Sequence, residues 1–172
     1  MADDRRAALE PDAAAGVLAD RLKERIYATI TMIAVVVGLS LGEVGALGAV
    51  ATVVTTAVGL WLAAFVADQQ AHRTVRRRFA TGHELRRMLY VSSPLLSCAV
   101  GPAVLIALAA LDVLSLSAAL STAAGVGVVS LFLWGCLGGL RMGGGTLTAV
   151  AAGLADAVIG VAVALVKAAA GH

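Results

Sequence analysis

Long apolar runs, separated by short polar segments, make up most of this chain after residue 25. The runs cover residues 26–41, 44–67, 94–111, 118–140 and 146–168. A helix rises about 1.5 Å per residue, so runs of this length approach or exceed the roughly 30 Å thickness of the bilayer hydrocarbon. The pattern predicts an all-α, polytopic membrane protein with five transmembrane helices.

The polar segments divide the chain into two parts. Residues 1–25 are expected to form a cytoplasmic N-terminal segment that leads into the first helix without a break. Asp12, directly after Pro11, is a plausible N-cap for that helix. Residues 26–168 form the transmembrane domain, with a cytoplasmic Arg-rich loop over residues 68–93.

Turn and cap residues predict several helix boundaries. Thr81 and Glu84 have the spacing of a capping box, which predicts a short helix inside the basic loop. Ser93 followed by Pro94 is typical of an N-cap and a first helical residue.

Two further boundaries concern the third and fourth helices. Pro102 lacks the N–H that would bond the carbonyl of Cys98, so we expect a kink near the Gly101–Pro102 pair. The fourth helix is expected to be capped by Ser115 or Ser117.

The basic residues predict the orientation of the chain in the membrane. Residues 72–87 read HRTVRRRFATGHELRR and contain six of the thirteen Lys and Arg residues. Short basic loops stay on the cytoplasmic side of a membrane. With five helices this places the N-terminus inside, the C-terminus outside and twelve of the thirteen cations inside, Lys167 being the exception.

Composition supports the membrane assignment and narrows the function. The chain is 60% apolar and only 14% charged, with a mean hydropathy of +0.92, which is outside the range of soluble domains. The Arg, Ala, Val and Gly richness is typical of a GC-rich bacterial genome, so we expect a multi-pass protein of the cell inner membrane. The net charge is +2, and no nucleic-acid partner is expected.

Chemical motifs are absent from the sequence. No nucleophile elbow, phosphate loop or Cys-x-x-Cys pair occurs, so we expect no enzyme activity, no catalytic residue and no cofactor. Cys98 and Cys136 fall inside apolar runs, where thiols usually pack as small hydrophobes. The spacing of His72, His83 and Glu84 matches no zinc pattern, so no metal site is predicted.

Asp156 is the first candidate for a transport pathway. It lies almost midway along the last apolar run, where a carboxylate costs about 2.5–3.5 kcal/mol unless it is neutralised or paired. Small residues at helical spacing around it would let another helix approach closely. Two interpretations stay open: a titrating or ion-binding group in a pathway, or a protonated acid that hydrogen-bonds within the packing.

The other pathway candidates are Thr29, Thr31, Thr55 and Asp68. The threonines would line a polar seam between the first two helices, although threonines in membrane helices often bond a carbonyl of their own turn. Asp68 would guard an entrance at the end of the second helix, or it would simply be a charged helix end at the interface.

The arginines of the basic loop are candidates for binding anionic lipid head groups, at about 1 kcal/mol per residue. The alternative is that these arginines only fix the orientation of the chain in the membrane. The six are Arg73, Arg76, Arg77, Arg78, Arg86 and Arg87.

These observations favour a small transporter or channel-like protein for an unidentified substrate, with a cation as one candidate. The alternative is a non-transporting membrane subunit that binds a partner or anionic lipid through the basic loop. Because five short helices make a small core, we expect a homodimer in the lipid bilayer.

The layout resembles that of the vacuolar iron transporter family. SSPLLSCAVGPAVLIAL is similar to that family's third helix, and VSLFLWGCLGGLRMGGGTLTAVAAGLADAVIG to its fourth and fifth. The resemblance implies a five-helix transporter.

The chain departs from the family where RIYATITMIAVVVG and GLWLAAFVADQQ replace its acidic helix motifs, and where an Arg-rich loop replaces its glutamate-rich insert. No metal ligand of the family is therefore carried over. RIYATI and GLWLA also resemble segments of small membrane proteins of GC-rich bacteria.

Overall fold

The computed structural model describes residues 2–170, with side chains from Ala14 onward except that of residue 168. The described chain is all-helical, and its elements are α1 (Ala2–Leu41), α2 (Ala46–Arg76), α3 (His83–Ser97), α4 (Val100–Ala110), α5 (Leu116–Arg141) and α6 (Thr146–Ala170). The helices α3 and α4 follow each other as one span. Five helical spans are thus long and apolar enough to cross a membrane, which confirms the predicted fold class.

The helix α1 is central in the bundle and packs against α2, α3, α5 and α6. One buried cluster joins α1 to α2, α4 and α5 around Val36, Val53 and Ile106. A smaller cluster joins α1 to α5 and α6 around Ile33 and Leu131. Most remaining large apolar side chains face outward, as expected for helices surrounded by lipid.

Glycines bring α5 and α6 into close contact. A methyl group placed on Gly135 would lie 2.7 Å from the Cα of Gly153, and one on Gly139 would lie 2.6 Å from the Cα of Ala149. Only hydrogen fits at such positions, so the backbones touch directly. The Gly135–Gly139 pair, which has the spacing of a dimer motif, is therefore used inside a single chain.

The predicted boundaries of the first and second helices need correction. The helix α1 begins at Ala2, so Asp12 lies within it and is not its N-cap. The helix α2 continues past Asp68 to Arg76, because the stretch that follows the apolar run contains glutamine, alanine and arginine, which are good helix formers. Only residues 77–82 connect α2 to α3, so most of the predicted loop is helical.

The predicted caps around α3 are wrong. Gly82 takes the N-cap position and no side chain caps the helix, because Glu84 pairs with Arg78 instead. Pro94 lies inside α3. The hydroxyl of Ser93 donates to the carbonyl of Tyr90 at 2.8 Å, which satisfies the oxygen that Pro94 cannot serve.

The break in the third span confirms the predicted kink. The helix α3 ends at Ser97 and α4 begins at Val100, two residues before Pro102. Regular bonding resumes when the N–H of Ala103 donates to the carbonyl of Ala99 at 2.8 Å. Ser115 then caps α5 by accepting a bond from the N–H of Ala118 at 3.2 Å, as predicted.

Candidate functional site

A groove of about 280 Å³ lies between α1, α3, α4 and α5. The break between α3 and α4 forms part of its wall, through Ser97, Cys98, Gly101 and Pro102. Because the break lies within a span, the groove lies in the part of the bundle that could cross a membrane. We call it the central groove.

One end of the central groove carries a positive charge. The guanidinium carbon of Arg25 lies 5.2 Å from the centre of the Trp134 ring, so the cation rests on an aromatic face. No Asp or Glu lines the groove among the described residues. The adjacent carboxylate, Glu24, lines a different cavity beside α2 and pairs with Lys23 at 3.7 Å.

Hydroxyl groups form a second layer in the groove. Thr29 lies one turn after Arg25 on α1, and Ser130 lies one turn before Trp134 on α5. Ser97 adds a third hydroxyl from α3. Each hydroxyl donates to a carbonyl of its own helix, at 2.7 to 3.2 Å. Their oxygen lone pairs therefore stay free for a solute or water.

The remainder of the groove is apolar. It is lined from α1 by Met32, Ile33 and Val36 and from α5 by Ala123, Val126 and Gly127. The groove thus changes from cationic, through hydroxyl-bearing, to apolar along its length.

The structure does not gather the predicted pathway residues into one site. Thr29 lines the central groove, whereas Thr31 faces α6 and accepts a hydrogen bond from Lys167 at 3.4 Å. The ammonium of Lys167 also lies 5.3 Å from the Tyr27 ring. Thr55 is exposed and donates to the carbonyl of Ala51 at 2.7 Å, so its hydroxyl bonds its own turn.

Asp156 lies at the edge of the α5–α6 contact. A methyl group on Gly135 would be 2.7 Å from its Oδ2, and the side chain is otherwise exposed on the single chain. Gly160, one turn further along α6, packs beside Ile30. Asp156 therefore lies at about the level of Ile26, which is one turn before Ile30 on α1 and next to Arg25, although Asp156 is outside the central groove.

Asp68 lines a second cavity, of about 410 Å³, between α1, α2 and α3. Its other charged or titratable lining residues are Asp20, His72, Arg76, His83, Glu84 and Arg87. The Nε2 of His72 is buried and lies 3.5 Å from Oε2 of Glu84, beyond a good hydrogen bond. Within the described side chains, no group of three or more His, Cys, Asp or Glu residues could hold a metal ion.

All six arginines of the basic segment are exposed, yet they differ in their contacts. Arg78 makes two bonds to Glu84, at 2.7 and 2.8 Å, which raise the pKa of its guanidinium above the ordinary value. Arg73 lies 5.1 Å from the Phe79 ring. Arg76 and Arg87 line the second cavity, whereas Arg77 and Arg86 contact neither cavity.

The groove residues that sequence reasoning missed are Arg25, Ser97, Ser130 and Trp134. Arg25 directly precedes the first apolar run and the other three come from two later runs, so no spacing along the chain could connect them. The one signal in the sequence was Pro102. It predicted the break in the third span, but it did not predict which residues of the other helices would line the groove opposite the break.

Comparisons with known proteins find no match to this chain, neither among protein-family models nor among curated proteins nor among solved structures. The resemblance to vacuolar iron transporters stays a prediction, and the function must be argued from the geometry.

Proposed function

We propose that this multi-pass membrane protein is a small transporter or channel-like protein whose solute passes through the central groove. The break between α3 and α4 is the observation that carries the proposal. Irregular backbone inside a membrane is tolerated where it is buried in protein or lines a cavity, and transporters use such broken helices at their binding sites.

The polar lining of the groove supports the same function. A serine or threonine that only packs a membrane helix needs no cavity, as the exposed Thr55 shows. In contrast, Thr29, Ser97 and Ser130 come from three helices and line one space. Arg25 adds a charge at one end of the same space.

The test is flux in liposomes that contain the purified protein. Uptake of sodium, rubidium, chloride and hexanesulfonate is measured for the native chain and for the double variant Thr29→Val, Ser130→Ala. We expect native flux of at least one probe and a loss of about tenfold in the variant, the scale of one hydrogen bond of about 1.4 kcal/mol.

Thr55→Val is the matched control, because it removes a hydroxyl that faces away from the groove. It should leave flux unchanged. Native protein that moves none of the probes would count against transport, and equal loss in the control would show that the groove is not the pathway.

A second candidate function is the binding of anionic lipid by the basic segment. Val75 and Phe79 are exposed beside the arginines, which gives this surface both apolar and cationic groups. Replacing Arg77 and Arg86 with Gln should weaken retention of anionic lipid by the purified protein. Arg78→Gln is the comparison, since Glu84 already occupies that side chain; an equal effect of both changes would argue against direct lipid contact.

The homodimer stays part of the proposal. Asp156 is exposed on the single chain, and a lipid-facing carboxylate is costly unless it is neutralised or paired. A second copy that packed over this part of α6 would remove Asp156 from lipid. Cross-linking in native membranes, with Asp156→Cys as the reactive site, should trap a dimer, whereas Leu47→Cys at an exposed end of α2 should not.

A further inference from the structure

We propose that the ligand of the central groove is a small amphiphilic anion, an alkyl carboxylate with a short chain. This inference rests on the proposed function and names the chemical class that the same groove would take. Its carboxylate would meet Arg25, and its chain would lie against the apolar wall formed by α1 and α5.

The positive charge at one end of the groove favours an anionic ligand. Arg25 is the basic residue among the described residues that line the groove, and no described carboxylate lines the groove to offset it. Its position is fixed by the stacking on Trp134, at 5.2 Å. A carboxylate would pair with this guanidinium through charge-assisted hydrogen bonds. A cation would be repelled by it.

The apolar end of the groove favours a ligand with an alkyl chain. Beyond the hydroxyl layer, the groove offers Met32, Ile33, Val36, Ala123 and Val126 and no further charge. A purely polar anion would leave these side chains without contact, whereas an alkyl chain would cover them and gain the free energy of apolar burial. Along the groove, the cation would thus meet the carboxylate head group, the hydroxyls would meet the first carbons, and the apolar wall would meet the rest of the alkyl chain.

The size of the groove separates a free acid from a membrane lipid. The volume is about 280 Å³. At about 15–30 Å³ for each water-sized group, it would hold on the order of ten to twenty non-hydrogen atoms. Hexanoate fits this space, and a phospholipid with two chains does not. We therefore commit to the free carboxylate.

Trp134 supplies a direct readout of binding. The chain has two tryptophans, and Trp61 stacks with Phe65 on α2, outside the groove. In a Trp61→Phe background, protein in nanodiscs is titrated with hexanoate while tryptophan fluorescence is recorded. We expect a saturable change with hexanoate, and none with hexylammonium, hexanol or acetate at the same concentrations.

The variants test the assignment to Arg25. Arg25→Gln should weaken hexanoate binding at least tenfold, and Arg25→Lys should retain part of it. Arg21→Gln is the matched control: Arg21 lies one turn away on α1 and stacks on Tyr90 at 3.9 Å, outside the groove. Circular dichroism confirms that each variant keeps its helices.

The outcomes distinguish this inference from the proposed function. Saturable hexanoate binding that depends on Arg25 supports the inference even if no probe crosses the liposome membrane, a result that would count against transport alone. A saturable response to hexylammonium, an equal response to hexanol, or hexanoate binding unchanged in Arg25→Gln would overturn the inference. Flux of sodium or rubidium through the native protein would overturn it as well, while leaving the transport proposal intact.

Discussion

At the scale of single residues, neighbouring glycines of α5 have different environments. Gly139 is buried, and a methyl group there would lie 2.6 Å from the Cα of Ala149 and 3.0 Å from the carbonyl oxygen of Thr148. Gly138, the preceding residue, has open space around the same position. Since both atoms opposite Gly139 belong to the backbone of α6, only a shift of the helix could accommodate a side chain.

We expect Gly139→Ala to lower the free energy of unfolding by about 1–3 kcal/mol, the usual cost of overpacking. Gly138→Ala should leave it unchanged or raise it by up to about 1 kcal/mol, because the position is open and alanine is the better helix former. Unfolding in mixed micelles with increasing sodium dodecyl sulfate, followed by circular dichroism, measures both. Equal effects of the two variants would contradict the close contact of α5 and α6.

The predicted site residues show what residue type alone can and cannot indicate. Thr29 and Thr55 are the same amino acid in two apolar runs, and both donate to a carbonyl one turn back. One lines the central groove and the other faces outward. The difference depends on which side of its helix each threonine occupies relative to the neighbouring helices, and that is fixed only by tertiary packing.

At the scale of elements, the sequence predicted the number of spans well and several helix ends poorly. Hydropathy reports where a chain leaves lipid, whereas a helix ends where its hydrogen bonds end. The helix α2 therefore continues from the last apolar residues through Asp68 to Arg76. The kink was predictable because its cause is local: Pro102 cannot bond the carbonyl of Cys98.

Pro102→Ala tests the role of the break. The new N–H would bond the Cys98 carbonyl, so α3 and α4 should join, and the protein should become more stable by about 1 kcal/mol. Because the break forms part of the groove wall, flux in liposomes should fall at the same time. Amide hydrogen exchange over residues 98–103 reports the joined helix.

A gain in stability with a loss of flux is the expected pair of results for Pro102→Ala. Pro94→Ala provides a comparison for stability, because the hydroxyl of Ser93 already bonds the carbonyl that this proline leaves free. The gain in stability from Pro94→Ala should therefore be smaller than the gain from Pro102→Ala. A joined helix with full flux would show that the break is not needed for transport.

At the scale of the whole molecule, five spans require the two ends of the chain to lie on opposite sides of the membrane. The arginines predict that the connection between α2 and α3 lies in the cytoplasm together with the N-terminus. A reporter fused after Phe79, in that connection, should be active in the cytoplasm. A reporter fused after His172 should be active outside, and activity of both on one side would rule out five spans.

The last prediction concerns the central groove, which exists only when four helices are assembled. Cys98 lines it, whereas Cys136 packs against Gly153 in the contact between α5 and α6. If the groove admits water and solutes, a water-soluble methanethiosulfonate should modify Cys98 in the Cys136→Ala variant. In the Cys98→Ala variant, Cys136 should stay unmodified.

Arg25 adds a charge preference, because a guanidinium in the groove raises the local concentration of anions. Taking each rate relative to that reagent's rate with a free thiol in water, we therefore expect the anionic sulfonatoethyl reagent to modify Cys98 several-fold faster than the cationic trimethylammonium reagent, and Arg25→Gln to remove the difference. Protection of Cys98 from both reagents would show that the groove is closed to water, whereas faster reaction with the cationic reagent would show that Arg25 does not control its charge.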